Sequence, residues 1–200
     1  MTDAKAGAPS DAEIIGRVLS GDADSFEAIV KKYEKMIYSL AMSKTNNREN
    51  AQDISQECFL RAYKMLASYR TDSAFSTWIY RICQNLIFDF YRKEKKMKTV
   101  SLSFADESGE EHEKELQDTG ADVEEQLVRA EKIEKIRRII NSLPDDLREI
   151  IALRDLNNIS YAQISEMLGI EIGTVKSRLN RAREKLKNYI LKNCEPGELF

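Results

Sequence analysis

The chain has 200 residues, a formal net charge of −3 and a hydrophobic fraction of 42%. That is enough apolar material for one or two packed domains, and its three prolines and eight glycines argue for a mostly helical chain over a many-stranded one. No apolar run is long enough to cross a bilayer and none at the N-terminus reads as a signal peptide, so the expectation is a soluble, cytoplasmic protein with no membrane insertion. The cysteines, Cys58, Cys83 and Cys194, are odd in number and form no CxxC, which points to reduced thiols. The single histidine, His112, lies in an acidic stretch, so neither a metal nor another cofactor is expected.

Met1–Ser10 is small and polar and reads as a frayed tail. Asp11–Leu19 predicts a short helix with Ile14, Ile15, Val18 and Leu19 on its apolar side, and SGDADSF reads as a turn whose Asp24 or Ser25 caps the next helix. Phe26–Met42 is periodic through Phe26, Ile29, Val30, Tyr33, Ile37, Leu40 and Ala41, and Asn46–Asn50 breaks it. In Ala51–Arg70, Ile54, Cys58, Ala62 and Met65/Leu66 form the buried side. Asp53, Gln56, Glu57, Arg61 and Lys64 are left for solvent or a partner.

Ala74–Lys98 is more specific. Phe75, Ile79, Ile82, Leu86 and Phe90 line one side of a helix, with Trp78 and Cys83 at its edges. The reverse side carries Thr77, Arg81, Gln84, Phe88, Tyr91, Arg92 and Lys95. Aromatics interleaved with cations and amides supply stacking faces for bases, charge for phosphates and donors for base edges, as single-stranded nucleic acid requires. The alternative is that Phe88 and Tyr91 pack against another helix.

From Thr99 the periodicity is lost. Between Thr99 and Gln126 stand ten acids, from Asp106 to Glu125, against Lys114 as the one strong cation. The segment to Ala121 reads as an acidic, irregular linker and a domain boundary. Without it the chain is net basic, so the overall charge is an average over unlike parts. Asp122–Asn141 is helical again, SLPDD restarts the chain at Pro144, and Leu147, Ile150, Ile151 and Leu153 carry a helix into Asn157–Asn158.

The last stretch, Ser160–Ile190, reads as two helices and a tight turn. Ser160 is placed as an N-cap, Ile164, Met167 and Leu168 form one apolar face, and Gly169 stops the helix. A second helix starts near Ile172–Thr174 and buries Val175, Leu179, Ala182, Leu186 and Ile190. Its other side carries Lys176, Ser177, Arg178, Asn180 and Arg181. A short helix, a glycine turn and a basic second helix describe a DNA-binding helix-turn-helix: Arg and Lys can donate to guanine, Asn can pair with adenine, and Ser and Thr can donate to phosphate. The alternative is a plain helical hairpin with a solvated basic face.

Four segments, DISQECFLRAY (Asp53–Tyr63), FSTWIYRICQNLIFDFYRK (Phe75–Lys93), LPDDLREIIALRDLNNISYAQISEMLG (Leu143–Gly169) and GTVKSRLNRAREKL (Gly173–Leu186), resemble in order and spacing a bacterial RNA polymerase sigma factor of the extracytoplasmic-function (ECF) subfamily. The resemblance runs from about Asp11 to Leu191. It implies an all-α fold of two small helical domains, residues 11–98 and 122–192, joined by the acidic linker 99–121. Asp53, Gln56, Glu57 and Arg61 match the surface that docks on the clamp coiled coil of the largest subunit of core RNA polymerase. Arg81, Gln84, Asn85, Phe88, Arg92 and Lys93 become contacts to the non-template strand at the −10 element. The loop Arg70–Ser76 helps hold a flipped base, and Trp78 supports by packing. Thr174, Lys176, Ser177, Arg178, Asn180 and Arg181 fall on the contact positions for the −35 element.

The implied partners are core polymerase, promoter DNA and an anti-sigma factor. The implied role is transcription initiation from promoters of a stress or envelope regulon. No paired-carboxylate cleft, nucleophile triad or phosphate-cradling glycine loop is present in the sequence, so no enzymatic activity is expected. Two rivals stand beside this reading. One is a helix-turn-helix regulator acting without polymerase, which needs a dimer and a palindromic site. The other is a sigma mimic that titrates an anti-sigma factor.

Overall fold

A computed structural model describes residues 9–101 and 134–193, and among them every regular element is helical. Helix α1 spans Asp11–Leu19, and Ser10 belongs to it as the N-cap: its side chain accepts from the Glu13 amide while Glu13 reaches back, a complete capping box. The cap before α2 (Phe26–Thr45) is neither Asp24 nor Ser25. Asp22 does that work one turn earlier, accepting from the Ser25 amide at 3.3 Å, and Ser25 itself makes no side-chain cap bond. An extra 3₁₀ turn, Ala23–Ser25, displaces the cap from where a direct loop-to-helix entry would put it.

At the far end of α2, Asn46 adopts a left-handed conformation, φ 49°, and Asn47 caps α3 (Arg48–Lys64) through the Asn50 amide. The break between Asn46 and Asn50 is therefore two residues long, and α3 starts three residues ahead of the predicted Ala51. Helix α4 spans Phe75–Ser101. Its buried side extends the predicted stripe to Tyr80, Cys83 and Ile87. Phe75, Tyr69 and Trp78 form an aromatic triangle with centroids 5.3 Å apart, a packing role for Trp78. Cys58 and Cys83 are both buried free thiols at the α3–α4 seam. Hydrogen bonding with Cys58, reinforced by burial, pushes the Cys83 thiol well up, which keeps it inert.

The second part begins with α5, residues 134–141. Helix α4 runs three residues into the predicted linker, to Ser101; the rest of the acidic linker and the start of the predicted Asp122–Asn141 helix lie outside the described residues, as do most of the N-terminal tail and Cys194. Pro144 precedes α6 (Asp145–Ile151), which widens into a π-type turn over Ala152–Leu156. Helix α7 spans Tyr161–Leu168, and Ser160 and Gln163 form its capping box. Gly169 closes it with φ 64°, a conformation that costs an L side chain strain even where space is free. Helix α8 (Ile172–Asn193) buries Val175, Leu179 and Ala182, with Leu186 packed on the same cluster.

The two parts share one apolar core. Ile37 and Leu40 of α2 and Ile79 of α4 belong to the same buried cluster as Ile150, Leu153, Ile164 and Val175. Helix α2 packs against α6 and the π-type turn, and α4 packs against α7.

Candidate nucleic-acid interface

Three exposed helical faces carry the residues singled out from sequence. The first is the N-terminal half of α8. Lys176, Ser177, Asn180 and Arg181 are exposed, while Thr174 and Arg178 are half-buried. Val175 and Leu179, fully buried, anchor the helix and turn this set outward. Ser177 donates to the Thr174 carbonyl at 3.0 Å and Arg181 to the Ser177 carbonyl at 3.4 Å, so both side chains lie along the helix surface. Arg178 lies 4.0 Å from Asp146. Arg183, further along, is held by both oxygens of Asp155, at 3.1 and 2.5 Å. That clamp spends Arg183 on the α8–π-turn contact and leaves the earlier cations for a partner.

The second face is on α4. Arg81, Asn85, Phe88, Arg92 and Lys93 are exposed, and the Phe88 ring is 69% accessible, so it does not pack against another helix. An apolar ring held out beside a guanidinium and an amide is a stacking platform. Asp89 pairs with Arg92 and lies 3.8 Å from Arg61 of α3. Phe88, Asn85, Arg61, Asp89 and Arg92 line one shallow depression.

Three members of this reverse side behave differently. Thr77 is fully buried with no hydrogen-bond partner for its hydroxyl. Tyr91 is half out and donates to the Lys44 carbonyl. Gln84 faces the second part of the molecule: its amide donates to Tyr80 Oη at 2.7 Å and to Glu149. Glu149 is 93% buried, its 7% exposure among the lowest of the charged groups. It accepts from Tyr80 Oη at 2.6 Å and from Lys44 Nζ at 2.7 Å. Burial first, then the Glu149 charge, raises the Tyr80 phenol far above its ordinary value, so Tyr80 stays a donor.

The third face is on α3. Asp53 and Gln56 are exposed, Glu57 and Arg61 are half-buried and paired at 2.7 Å. Leu60, 55% exposed, sits on the same face, with Tyr63 and Met65 near its C-terminal end. Sequence reading passed over Leu60 because only its buried stripe was followed. Its spacing of three and four from Glu57 and Gln56 is the signal that places it on the polar face.

The predicted loop Arg70–Ser76 ends earlier, because α4 starts at Phe75; Ala74 just ahead of α4 and Ser76 in its first turn line a cleft together with Leu156–Ile159 and Gln163. The Ser76 hydroxyl is buried there without a partner.

Among the described residues, a capped helix-turn-helix and a second helix with exposed cations and an exposed aromatic ring present the donor and stacking groups that nucleic-acid binding uses. Comparison with known proteins makes this specific. The family description "Sigma-70 region 2" matches residues 29–97 and "Sigma-70, region 4" matches residues 133–186. The chain is 36% identical to the ECF RNA polymerase sigma factor SigW of Bacillus subtilis, over 88% of this chain and 94% of that one. It is 35% identical to the ECF RNA polymerase sigma-E factor of Escherichia coli, over 90% and 94%. Among solved structures, CnrH in complex with the cytosolic domain of CnrY aligns with a TM-score of 0.64 at 21% identity, covering 90% of this chain and 96% of that one. The sigma factor RpoE in complex with the anti-sigma factor NepR from Bartonella quintana aligns at 0.61 and 24%, covering 86% and 99%.

The chain belongs to the ECF subfamily of RNA polymerase sigma factors. It is a transcription initiation factor that works with RNA polymerase on promoter DNA, and not an enzyme. A free-standing helix-turn-helix regulator is not favoured. No helix among the described residues is long and apolar enough to cross a membrane.

Proposed function

We propose that residues 11–98 dock on core polymerase and capture the −10 strand, that residues 122–192 read the −35 element, and that the acidic residues 99–121 join the two. The observation that carries the assignment is the outward set Arg81, Asn85, Phe88 and Arg92, on a helix whose other side is core. Phe88 stacks an unpaired base, Arg81 and Lys93 meet phosphates, and Asn85 with Gln84 meets base edges. Capture of an extruded base offsets an unstacking cost of roughly a few kcal/mol. On α8, Lys176, Arg178, Asn180 and Arg181 face the major groove, and Thr174 and Ser177 face phosphate. On α3, Asp53, Gln56, Glu57 and Arg61 contact the clamp coiled coil, with Leu60 as the apolar centre of that contact.

The relative crystallised with an anti-sigma factor supports an anti-sigma partner for this chain as well, and the relatives named as ECF sigma factors support a stress or envelope regulon. The place of action is the cytoplasm, where the polymerase is. Run-off transcription with purified core polymerase, followed by start-site mapping, tests the assignment. Transcripts that start a fixed distance downstream of paired −35 and −10 sequences are expected. Core-dependent transcription that starts without regard to such sequences would overturn it.

A further inference from the structure

A patch outside the three faces already described gathers cations around a recess. Between the α2–α3 turn and α5 lies an open-sided depression of about 520 Å³, lined by three guanidinium groups: Arg48 from the first turn of α3, Arg137 and Arg138 from α5. Among the described residues on its wall, Glu134 is the one acid. Its ion pairs leave most of the positive charge available. Arg137 gives Nη1 to Glu134 at 2.6 Å, while Arg138 Nε stands 4.0 Å from the same carboxylate with its side chain 76% exposed. Arg48 is exposed and has no carboxylate partner among the described residues. Glu134 therefore orients one edge of the Arg137 fork and leaves its other N–H groups for a ligand. Three guanidinium groups around one carboxylate repel each other, and an anion among them turns that repulsion into attraction.

The uncharged groups on the same wall are donors too. Asn47 Oδ1 accepts from the Asn50 amide at 2.9 Å, and Asn46 Oδ1 accepts from Asn141 Nδ2. Each of these two acceptors is thus taken from within the molecule, and each side chain keeps an Nδ2 to give. The head of α3, a 17-residue helix capped by Asn47, adds its partial positive charge at the same spot. A single carboxylate is satisfied by one fork. Three forks and two amides, all donating into one recess, match a ligand with several acceptor oxygens and more than one negative charge.

We infer that this depression binds an oligophosphate, a chain of two or more phosphates, free or carried on a nucleotide. Arg48 and Asn47 hold it from the α3 side, and Arg137 and Arg138 from the α5 side. Guanidinium forks meet phosphate oxygens two at a time, which an ammonium does not do. Duplex DNA fits less well. It offers its phosphates along a rigid rail, whereas these donors converge on one recess from two walls. None of the four side chains belongs to the surfaces assigned to the −10 strand, the −35 element or the clamp.

Isothermal titration calorimetry of the full chain with inorganic tripolyphosphate, in about 0.1 M salt to screen diffuse attraction, tests the site. One molecule per chain is expected. Arg48→Gln with Arg137→Gln should weaken binding about tenfold or more. Lys185→Gln with Lys187→Gln removes the same charge from exposed positions of α8 and should change binding less than about twofold. Arg48→Lys with Arg137→Lys keeps the charge and should still lose roughly three- to tenfold, because the fork is gone. Circular dichroism checks that each variant keeps its helix content. Adenosine and guanosine triphosphates separate the two sources: binding tighter than tripolyphosphate assigns a nucleotide, and equal or weaker binding assigns the phosphate chain alone. Equal losses in the Arg→Gln and Lys→Gln chains would overturn the site, as would full affinity in the Arg→Lys chain or no saturable binding. A mixed-sequence DNA duplex that loses as much as tripolyphosphate in the Arg→Gln chain would also overturn it, giving the cluster to the DNA backbone.

Discussion

At the scale of single residues, the side chains assigned to DNA are divided by what else holds them. Lys176 and Arg181 are exposed, and Arg181 is bonded only within its own helix. Truncating either to Ala should weaken promoter use by about 1–3 kcal/mol if it reaches a base, read as run-off yield from a cognate promoter at fixed salt; full yield would remove that residue from the interface. Phe88 is 69% exposed, so Phe88→Ala should leave thermal stability within about 0.5 kcal/mol of wild type while impairing strand opening. Normal permanganate reactivity around the start site would count against a stacking role. Tyr80 offers a pH test. Its folded-state pKa lies above the ordinary value of 10.0, so the neutral phenol contributes stability that is whole below about pH 10 and falls as pH rises further. Melting temperatures of wild type and Tyr80→Phe should therefore converge above about pH 10, and parallel curves would show that the phenol titrates normally.

Each element shows where local chemistry decides and where it only permits. The α7–α8 turn is a local object. Ser160, Gln163 and Gly169 specify it within ten residues of chain, and the structure has both the capping box and the left-handed glycine. A Cβ at Gly169 would meet nothing within 4 Å, so Gly169→Ala costs backbone strain alone, about 1 kcal/mol. Urea denaturation should show that loss with an unchanged slope; no loss would mean the turn relaxes to another form. Helix α4 is a different case. Its buried stripe was legible from spacing, and so was the aromatic-basic reverse side. The spacing could not separate Thr77 and Gln84, which turn inward, from Arg81, Asn85 and Phe88, which stay out. All five lie outside the stripe on a helical projection. Neighbouring elements, not α4, decide which of them meets solvent.

For the molecule as a whole, promoter selection is a matter of linked weak contacts. Three separate faces are small, the overall charge is −3, and region 4 rests on region 2. The free chain should accordingly bind duplex promoter DNA about a hundredfold or more weakly than the holoenzyme does, since joining sites multiplies affinity through effective concentration. Fluorescence anisotropy with and without core polymerase measures the ratio, and equal affinities would favour a factor that acts alone.

By itself the sequence determined the helices, their caps at Ser160 and Gly169, the outward basic run of α8 and the aromatic-basic run of α4. Each of these depends on residues within a few turns of one another, where helical periodicity and capping are strong. Only the tertiary structure decided what Glu149 does. In the sequence it is one acid between the apolar Leu147 and Ile150, and its partners Tyr80 and Gln84 are 69 and 65 residues away along the chain. No periodicity reports a contact across that separation. It exists because the apolar sides of α2, α4 and α6 share one core, and burying those sides draws a carboxylate, a phenol, an amide and an ammonium into the same dry space, where each must find the others.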